Sequence, residues 1–339
     1  MNILITGGAG FIGSNFTKYW AEKNPLDKVV VYDKLTYAGN KENLRELFDN
    51  PNFVFVEGDI LDGKLFEDTI KDNSIDTIVH FAAETHVDRS IEGPEAFVQT
   101  NIVGTFRILE VLKRYPDVRL HHISTDEVFG ELPLDNPDAK FSETTPYDPR
   151  SPYSASKAAS DHLIRAYTNT YKLKTTISNC SNNYGPYCHP EKLIPLAITR
   201  AMNDEEIPVY GDGLQVRDWI HVEDHCMGIE LILEKGRLGE TYILGGHGEQ
   251  PNLYIIKEIL KILDKPESLI VHVGDRKGHD RRYAMDFTKA HNELGFNPLK
   301  PMEERLEETV QWYLDNRDWW EPMKEDANEI ADRYLANRM

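Results

Sequence analysis

The sequence predicts a doubly wound parallel α/β sheet, and three observations carry that prediction. Short apolar runs alternate with longer stretches of helical spacing through the first half of the chain. A glycine-rich turn joins the first apolar run to the first helix. The rhythm breaks after about residue 180, where short strands, helices and Gly- and Pro-rich loops mix. Strand-helix alternation implies a parallel sheet covered by helices. The mixed second half predicts a smaller α/β cap over the carboxyl ends of the strands. The expected boundaries are 1–180 for the sheet domain and 181–339 mainly for the cap, with some chain returning to the sheet domain.

Each element follows from its pattern. "NILIT", "KVVVYD", "FVFVEGD", "DTIVHFAA", "RLHHIST" and "KTTISNC" are short runs rich in β-branched and apolar residues, and read as strands buried on both faces. "GSNFTKYWAEKN", "EAFVQTNIVGTFRILEVLKRY" and "SASKAASDHLIRAYTNTY" have helical spacing. In the second half "IPVYG" and "ETYILGG" predict short strands, and the closing "DANEIADRYLANRM" predicts a charged helix.

"ITGGAGFIGS" sits between the first strand and the first helix. Gly8, Gly10 and Gly13 fit GxGxxG, and Gly7, Gly10 and Gly13 fit GxxGxxG equally well. Such glycines let a pyrophosphate approach the backbone, and the helix N-terminus then faces the anion with free N–H groups. The sheet domain is therefore of Rossmann type. Asp33 ends the second strand where an acid binds the adenosine ribose, which favours NAD over NADP, and the neighbouring Lys34 weakens that preference. Asp59 reads either as a contact to the adenine or as a helix cap. Ala82 and Ala83 after the fourth strand let a cofactor pass close by, or serve helix-sheet packing.

The chain has 339 residues and a formal net charge of -19, which argues against nucleic acid as a partner. Cys180, Cys188 and Cys226 form no CxxC pair and predict reduced structural thiols, with no metal site. No apolar run reaches membrane-spanning length, and no basic segment precedes "NILIT". The expectation is a cytoplasmic protein.

Tyr153 and Lys157 in "YSASK" share one helix face. A phenol with an ordinary pKa of about 10 needs a nearby positive charge to act as a base at neutral pH. Lys157 is placed to supply it. "STDEVFG" puts Thr125, Asp126 and Glu127 at the end of the fifth strand. Taken alone, the two acids read as solvated loop residues.

Together, "TGGAGFIGS", "STDEVFG" and "SPYSASKAASDH" resemble the extended short-chain dehydrogenase/reductase family, and "NCSNNYGPY", "PEKLIP", "VRDWIHVEDH" and "DRKGHDRRYAMD" bring the likeness to its nucleotide-sugar 4,6-dehydratases. The similarity runs from Asn2 to about Asn316. Sugar-nucleotide epimerases of the same family lack the Thr-Asp-Glu triplet. The resemblance implies NAD as cofactor and dTDP-glucose as substrate, in deoxysugar synthesis of the rhamnose type. Alternatives are a CDP- or UDP-sugar dehydratase, a 4-epimerase, or a dinucleotide-binding sensor.

The resemblance also implies roles. Tyr153 takes the C4 hydroxyl proton and Thr125 steadies that oxygen. Glu127 is the base at C5, and Asp126 protonates the departing C6 hydroxyl. Phe11, Ile12, Leu35, Thr36, Ile60, Phe81 and Thr100 join the glycines and Asp33 around NAD, with Asn183 on the nicotinamide side. Thr85 and Asn182 meet the sugar or its phosphates. Lys192, Leu193, Pro208, Val209 and Tyr210 frame the nucleoside. Arg217, Arg276 and His279 answer the diphosphate, with Asn252 and Asp275 nearby. Lys277 stands where the family has proline. Family members pair the helical stretches 94–115 and 151–171 across a homodimer as a four-helix bundle.

Overall fold

The computed structural model describes residues 1–336. Seven strands form the main sheet: β1 (Asn2–Thr6), β2 (Lys28–Asp33), β3 (Phe53–Glu57), β4 (Thr77–His80), β5 (Arg119–Thr125), β6 (Thr175–Cys180) and β10 (Thr241–Leu244). Their order is β3-β2-β1-β4-β5-β6-β10, and every pairing is parallel. The fold is the doubly wound α/β sheet that the alternation predicts. Strand order reverses between β1 and β4, which opens the crevice where such sheets bind ligands.

Burial on both faces explains the continuous apolar runs. Ile3, Ile5, Val29 and Val31 point to one helix layer, while Leu4, Val30, Tyr32 and Ile78 point to the other. The edge strand β3 is the exception and is only half-buried. "ETYILGG" belongs to the main sheet, because β10 pairs with β6. Helix Val222–Lys235 returns with it, placing Ile229, Ile232 and Leu233 in the same core as Trp20.

The cap holds β7 (Asn182–Tyr184), β8 (Ile207–Tyr210), β9 (Val216–His221), β11 (Glu249–Pro251) and β12 (Ile270–Val273). They form a three-stranded sheet, β11-β9-β7, and a two-stranded one, β12-β8. Helices Leu193–Met202, Asn252–Ile262 and Met302–Asp315 cover them around Ile198, Ile256 and Val310.

One helix departs from simple expectation. The stretch predicted as one helix from 95 contains a π-helical segment, Val98–Gly104, between Pro94–Phe97 and Thr105–Leu112. There Asn101 is buried, bonding Glu84 N (2.8 Å) and Ser156 Oγ (2.8 Å). The closing helix, Lys324–Ala336, lies against β8 and β12.

Candidate active site

One continuous cavity of about 470 Å³ runs from the glycine turn to the cap. Its cofactor end is made largely of backbone. Gly7 adopts φ +68°, and a side chain there would meet the Ala82 backbone nitrogen at 2.7 Å. A methyl on Gly13 would overlap the Gly7 carbonyl oxygen. Gly8 packs on Val31, outside the lining, so the Gly7-Gly10-Gly13 spacing is the one that faces the cavity. Helix Phe11–Lys23 starts at Gly10 with no side-chain cap, leaving its first amides for an anion.

Asp33 is buried, and its carboxylate accepts from Ala9 N (2.9 Å) and Leu35 N (2.8 Å). Burial raises its pKa while both amides oppose the shift. Leu35 itself does not line the cavity. Its φ of 55° turns the amide to Asp33 and sends the side chain into the core. Lys34 pairs with Asp59 at 2.7 Å, and both line the cavity. The helix cap weighed for Asp59 is taken by Asp62. Phe11, Ile12, Thr36, Ile60, Phe81 and Ala82 line this end, with Ala83 and Thr100. These features fit a dinucleotide: a cradle that a single Cβ would fill, uncapped amides, and an acid at the end of β2.

At the centre, Thr125 ends β5 and caps a short 3₁₀ turn, Asp126–Phe129. The turn takes both acids off the strand, so neighbours that would diverge on a strand enter one cavity. The solvated-loop reading of the pair fails here, since Asp126 is 1% exposed. Thr125 Oγ1 donates to Asp126 Oδ1 (3.1 Å), and Asp126 Oδ2 is buried without a partner. Burial first, then the negative Glu127, push the Asp126 pKa well up. Burial also raises Glu127, but Arg276, Arg217 and Lys192 act against it. The environments of the two acids thus differ in the sense needed for one acid and one base.

Ser151 and Ser154 form a capping box that starts helix Pro152–Tyr171, with Tyr153 in its first turn and Lys157 one turn on. Both side chains are buried and line the cavity. Lys157 Nζ donates to Ile123 O at 2.7 Å. On balance the Tyr153 pKa is not lowered. Burial and then Glu127 raise the phenol well above its ordinary value, opposed by a hydrogen bond from Thr125.

The far end is built from side chains. Thr85, Asn182, Asn183, Lys192, Leu193 and Pro208 line it, as do Val209, Tyr210, Arg217, Asn252, Arg276 and His279. Several hold unused polar atoms: Asn182 Oδ1, Gln215 Oε1, Asn252 Oδ1 and Arg276 Nε are buried without partners. Arg217 is buried on the Tyr283 ring (4.3 Å), with Nη2 donating to Asp280 O (2.9 Å). Asn183 Oδ1 accepts from His225 Nδ1 (2.9 Å).

Asp275 does not line the cavity. It sits behind, accepting from His279 Nδ1 (2.6 Å) and Gln215 Nε2 (3.3 Å). Lys277 is exposed and also outside the lining. The sequence reading missed Gln215, Asp88 and the closing helix, whose Ala327, Ile330 and Ala331 form a wall. The spacing of those three apolar residues was a signal that the helix buries a face. Among the described residues no His, Cys, Asp or Glu group is arranged to hold a metal ion, and no helix is long and apolar enough to cross a membrane.

Comparison with known proteins agrees with this geometry. The model of the GDP-mannose 4,6 dehydratase family matches residues 4–309. The dTDP-glucose 4,6-dehydratase of Xanthomonas campestris pv. campestris (strain B100) is 52% identical, over 93% of this chain and 94% of that protein. The chain belongs to the dTDP-glucose 4,6-dehydratase family. The enzyme of that name from Mycobacterium tuberculosis (strain ATCC 25618 / H37Rv) is 48% identical, over 97% of this chain and 98% of its own. Among solved structures, DesIV from Streptomyces venezuelae with NAD and TYD bound superposes with a TM-score of 0.91 at 46% identity, covering 95% and 100% of the two chains. UDP-glucose 4-epimerase from Thermotoga maritima is more distant, at 30% identity and a TM-score of 0.85 over 94% and 100%.

Proposed function

We propose that this chain dehydrates dTDP-glucose to dTDP-4-keto-6-deoxyglucose, with NAD as a cofactor regenerated in each turnover. The observation that carries the reading is the pairing of buried Asp126 with half-buried Glu127 in the same cavity as Tyr153 and Lys157. Oxidation alone has no use for two further acids. The relatives' names and the DesIV complex with NAD and TYD support the nucleotide and the cofactor.

The chemistry that NAD would supply in this cavity is acceptance of the C4 hydride of the sugar and its return at C6. The glycine turn, Asp33 and the Lys34–Asp59 pair hold NAD. Tyr153 takes the proton of the C4 hydroxyl, and Thr125 holds that oxygen. The C4 ketone acidifies the C5 proton, which Glu127 removes and gives back to C5 when the hydride reaches C6. Asp126 gives its proton to the C6 hydroxyl, which leaves as water. Arg217, Arg276 and His279 answer the diphosphate, and Asn252 and Tyr210 border the nucleoside. Residues 1–180 supply NAD binding and the proton groups, and 181–339 mainly hold the nucleotide sugar. The decisive experiment offers dTDP-, UDP-, CDP- and GDP-glucose to the protein. A 4-keto-6-deoxy product from the dTDP sugar is expected. A C4 epimer in its place overturns the reading.

The assembly proposed is a homodimer through helices 94–112 and 152–171. Val98 and Tyr171 are 45% and 46% exposed, and Ile102, Phe106 and Leu163 are half-buried on these helices. A second copy would cover this apolar surface as a four-helix bundle, and light scattering at micromolar concentration reads it directly. Three free, buried thiols suit the reducing cytoplasm.

A further inference from the structure

Behind Lys157 lies a carboxylate that the proposed mechanism does not use. Asp161 follows Tyr153 and Lys157 at the same four-residue step on helix Pro152–Tyr171, and it is fully buried. Its Oδ2 accepts from Ser124 Oγ (2.8 Å) and Tyr147 Oη (2.8 Å). His122 Nε2 stands 3.3 Å from Oδ1. Asn179 Nδ2 lies 3.5 Å from Oδ2 and also donates to Thr125 O at 3.0 Å. One carboxylate therefore ties the end of β5, where the Thr-Asp-Glu triplet begins, to the helix that carries the tyrosine and the lysine.

The charges around it are few. An ammonium buried without a counter-charge is costly, and Lys157 is buried with a neutral carbonyl as its hydrogen-bond partner. From β5, His122 is held neutral by burial and by Lys157, its pKa lowered to about 4. From β4, burial lowers His80 further, and its ring lies 5.2 Å from His122. From β6, burial raises the Cys180 thiol to about 12. Arg165, one turn on, is positive and donates to Tyr147 Oη (2.8 Å). Tyr147 itself is raised by burial and stays neutral. Asp126 and Glu127 stand on the Tyr153 side, and one of them must carry a proton. Asp161 is the remaining permanent negative charge: burial works to raise its pKa, but His122 and Lys157 act against this and the net shift is downward.

We propose that Asp161 is a positioning residue of the proton machinery, the buried counter-charge that keeps Lys157 protonated behind Tyr153. This rests on the dehydratase reading for the role of Tyr153. It extends the Tyr-x3-Lys pair to Tyr-x3-Lys-x3-Asp. Without the carboxylate Lys157 gives up its proton, and Tyr153 loses the positive neighbour that favours its phenolate.

The test uses the NAD-bound protein and Asp161→Asn, which keeps the shape and removes the charge. The first readout is ultraviolet titration of the Tyr153 phenolate, taken as the difference from the matching Tyr153→Phe protein. The titration should move to higher pH by about one unit, tenfold in phenolate fraction at a given pH. The second is the single-turnover rate of reduced-nicotinamide absorbance on adding dTDP-glucose, whose rise with pH should move the same way. Asp161→Asn added to Lys157→Met should bring no further shift. Tyr147→Phe, which removes one donor to the carboxylate, should give a smaller shift of the same sign and serves if Asp161→Asn does not fold. A loss of rate that is uniform across pH, or a phenolate titration that stays or moves down, overturns the proposal. The phenolate titration decides even if wild-type protein forms no 4-keto-6-deoxy product, an outcome that would overturn the dehydratase reading separately.

Discussion

The two ends of the cavity are built on different principles. The cofactor end is backbone: three glycines, an uncapped helix start and a strand-end acid fixed by two amides, all within the first 35 residues. The nucleotide-sugar end is side chains drawn from Thr85, Lys192, Arg217, Asn252, Arg276 and Ala331, which are far apart in sequence. A site of backbone tolerates no added atom but demands little of side-chain chemistry. A site of side chains tolerates changes of shape and depends on charge and unsatisfied donors. The acid pair lies between them, and its asymmetry comes from the second end, because the cations that counter the rise of Glu127 are Arg276, Arg217 and Lys192.

The largest expected effects fall at that junction. Tyr153→Phe should abolish both oxidation and dehydration, since no base remains for the C4 hydroxyl. Asp126→Asn and Glu127→Gln should lose roughly 10²–10⁴-fold in turnover. They should still bind NAD and sugar nucleotide, and show reduced-nicotinamide absorbance without release of product. Turnover near wild type in both variants would return the acids to the status of loop residues.

Next come the two ends, one substitution each. Gly13→Ala should weaken NAD by about 1–3 kcal/mol, roughly 5–150-fold, because its methyl meets the Gly7 carbonyl oxygen. Titration of NAD against the protein checks it. Arg276→Ala should leave NAD alone and raise KM for the sugar nucleotide roughly 10–100-fold, the worth of a hydrogen bond to a charged group. It should also move a pH limb. Glu127 works ionised, so turnover falls as pH drops through its raised pKa. Asp126 works protonated, so turnover falls again as pH rises through a pKa lifted further. Removing Arg276 takes away a cation that favours ionised Glu127, so the acidic limb should move to higher pH while the alkaline limb moves less.

The same contrast explains what the sequence reveals. Gly7, Gly10, Gly13 and Asp33 are legible because a strand, a tight turn and a helix are local, and local geometry fixes their spacing. Leu35 falls outside the site because a positive φ, invisible in the residue type, turns its amide to Asp33 and its side chain to the core. Asp275 falls behind the lining because the chain offers it His279 and Gln215 first. Thr125-Asp126-Glu127 is visible as a motif, but its burial depends on the 3₁₀ turn and the cap that closes over it. The strand at 241–244 reads as a cap strand because nothing in four residues says which sheet edge is free.

The smallest effect concerns the wall that sequence motifs did not flag. Helix Lys324–Ala336 lies outside the 4–309 match of the family model, yet Ala327, Ile330 and Ala331 line the cavity beside β8. Tyr334 meets the Tyr210 ring edge-to-face at 4.7 Å, and its hydroxyl reaches Asp88 at 3.5 Å. Asp88 in turn stands 3.7 Å from Arg276. The helix is thus joined to the nucleoside frame by rings and to the diphosphate cation through one carboxylate. Ala331 is 4% exposed and small, so Ala331→Leu pushes three carbons into the wall. The open cavity absorbs part of them, and the expected cost is about 1 kcal/mol, roughly fivefold in KM for the sugar nucleotide. NAD affinity and the single-turnover oxidation rate at saturating substrate should not change, because the helix touches only the side-chain end. A loss of NAD affinity in this variant would mean that the two ends are coupled through the helix and are not built independently.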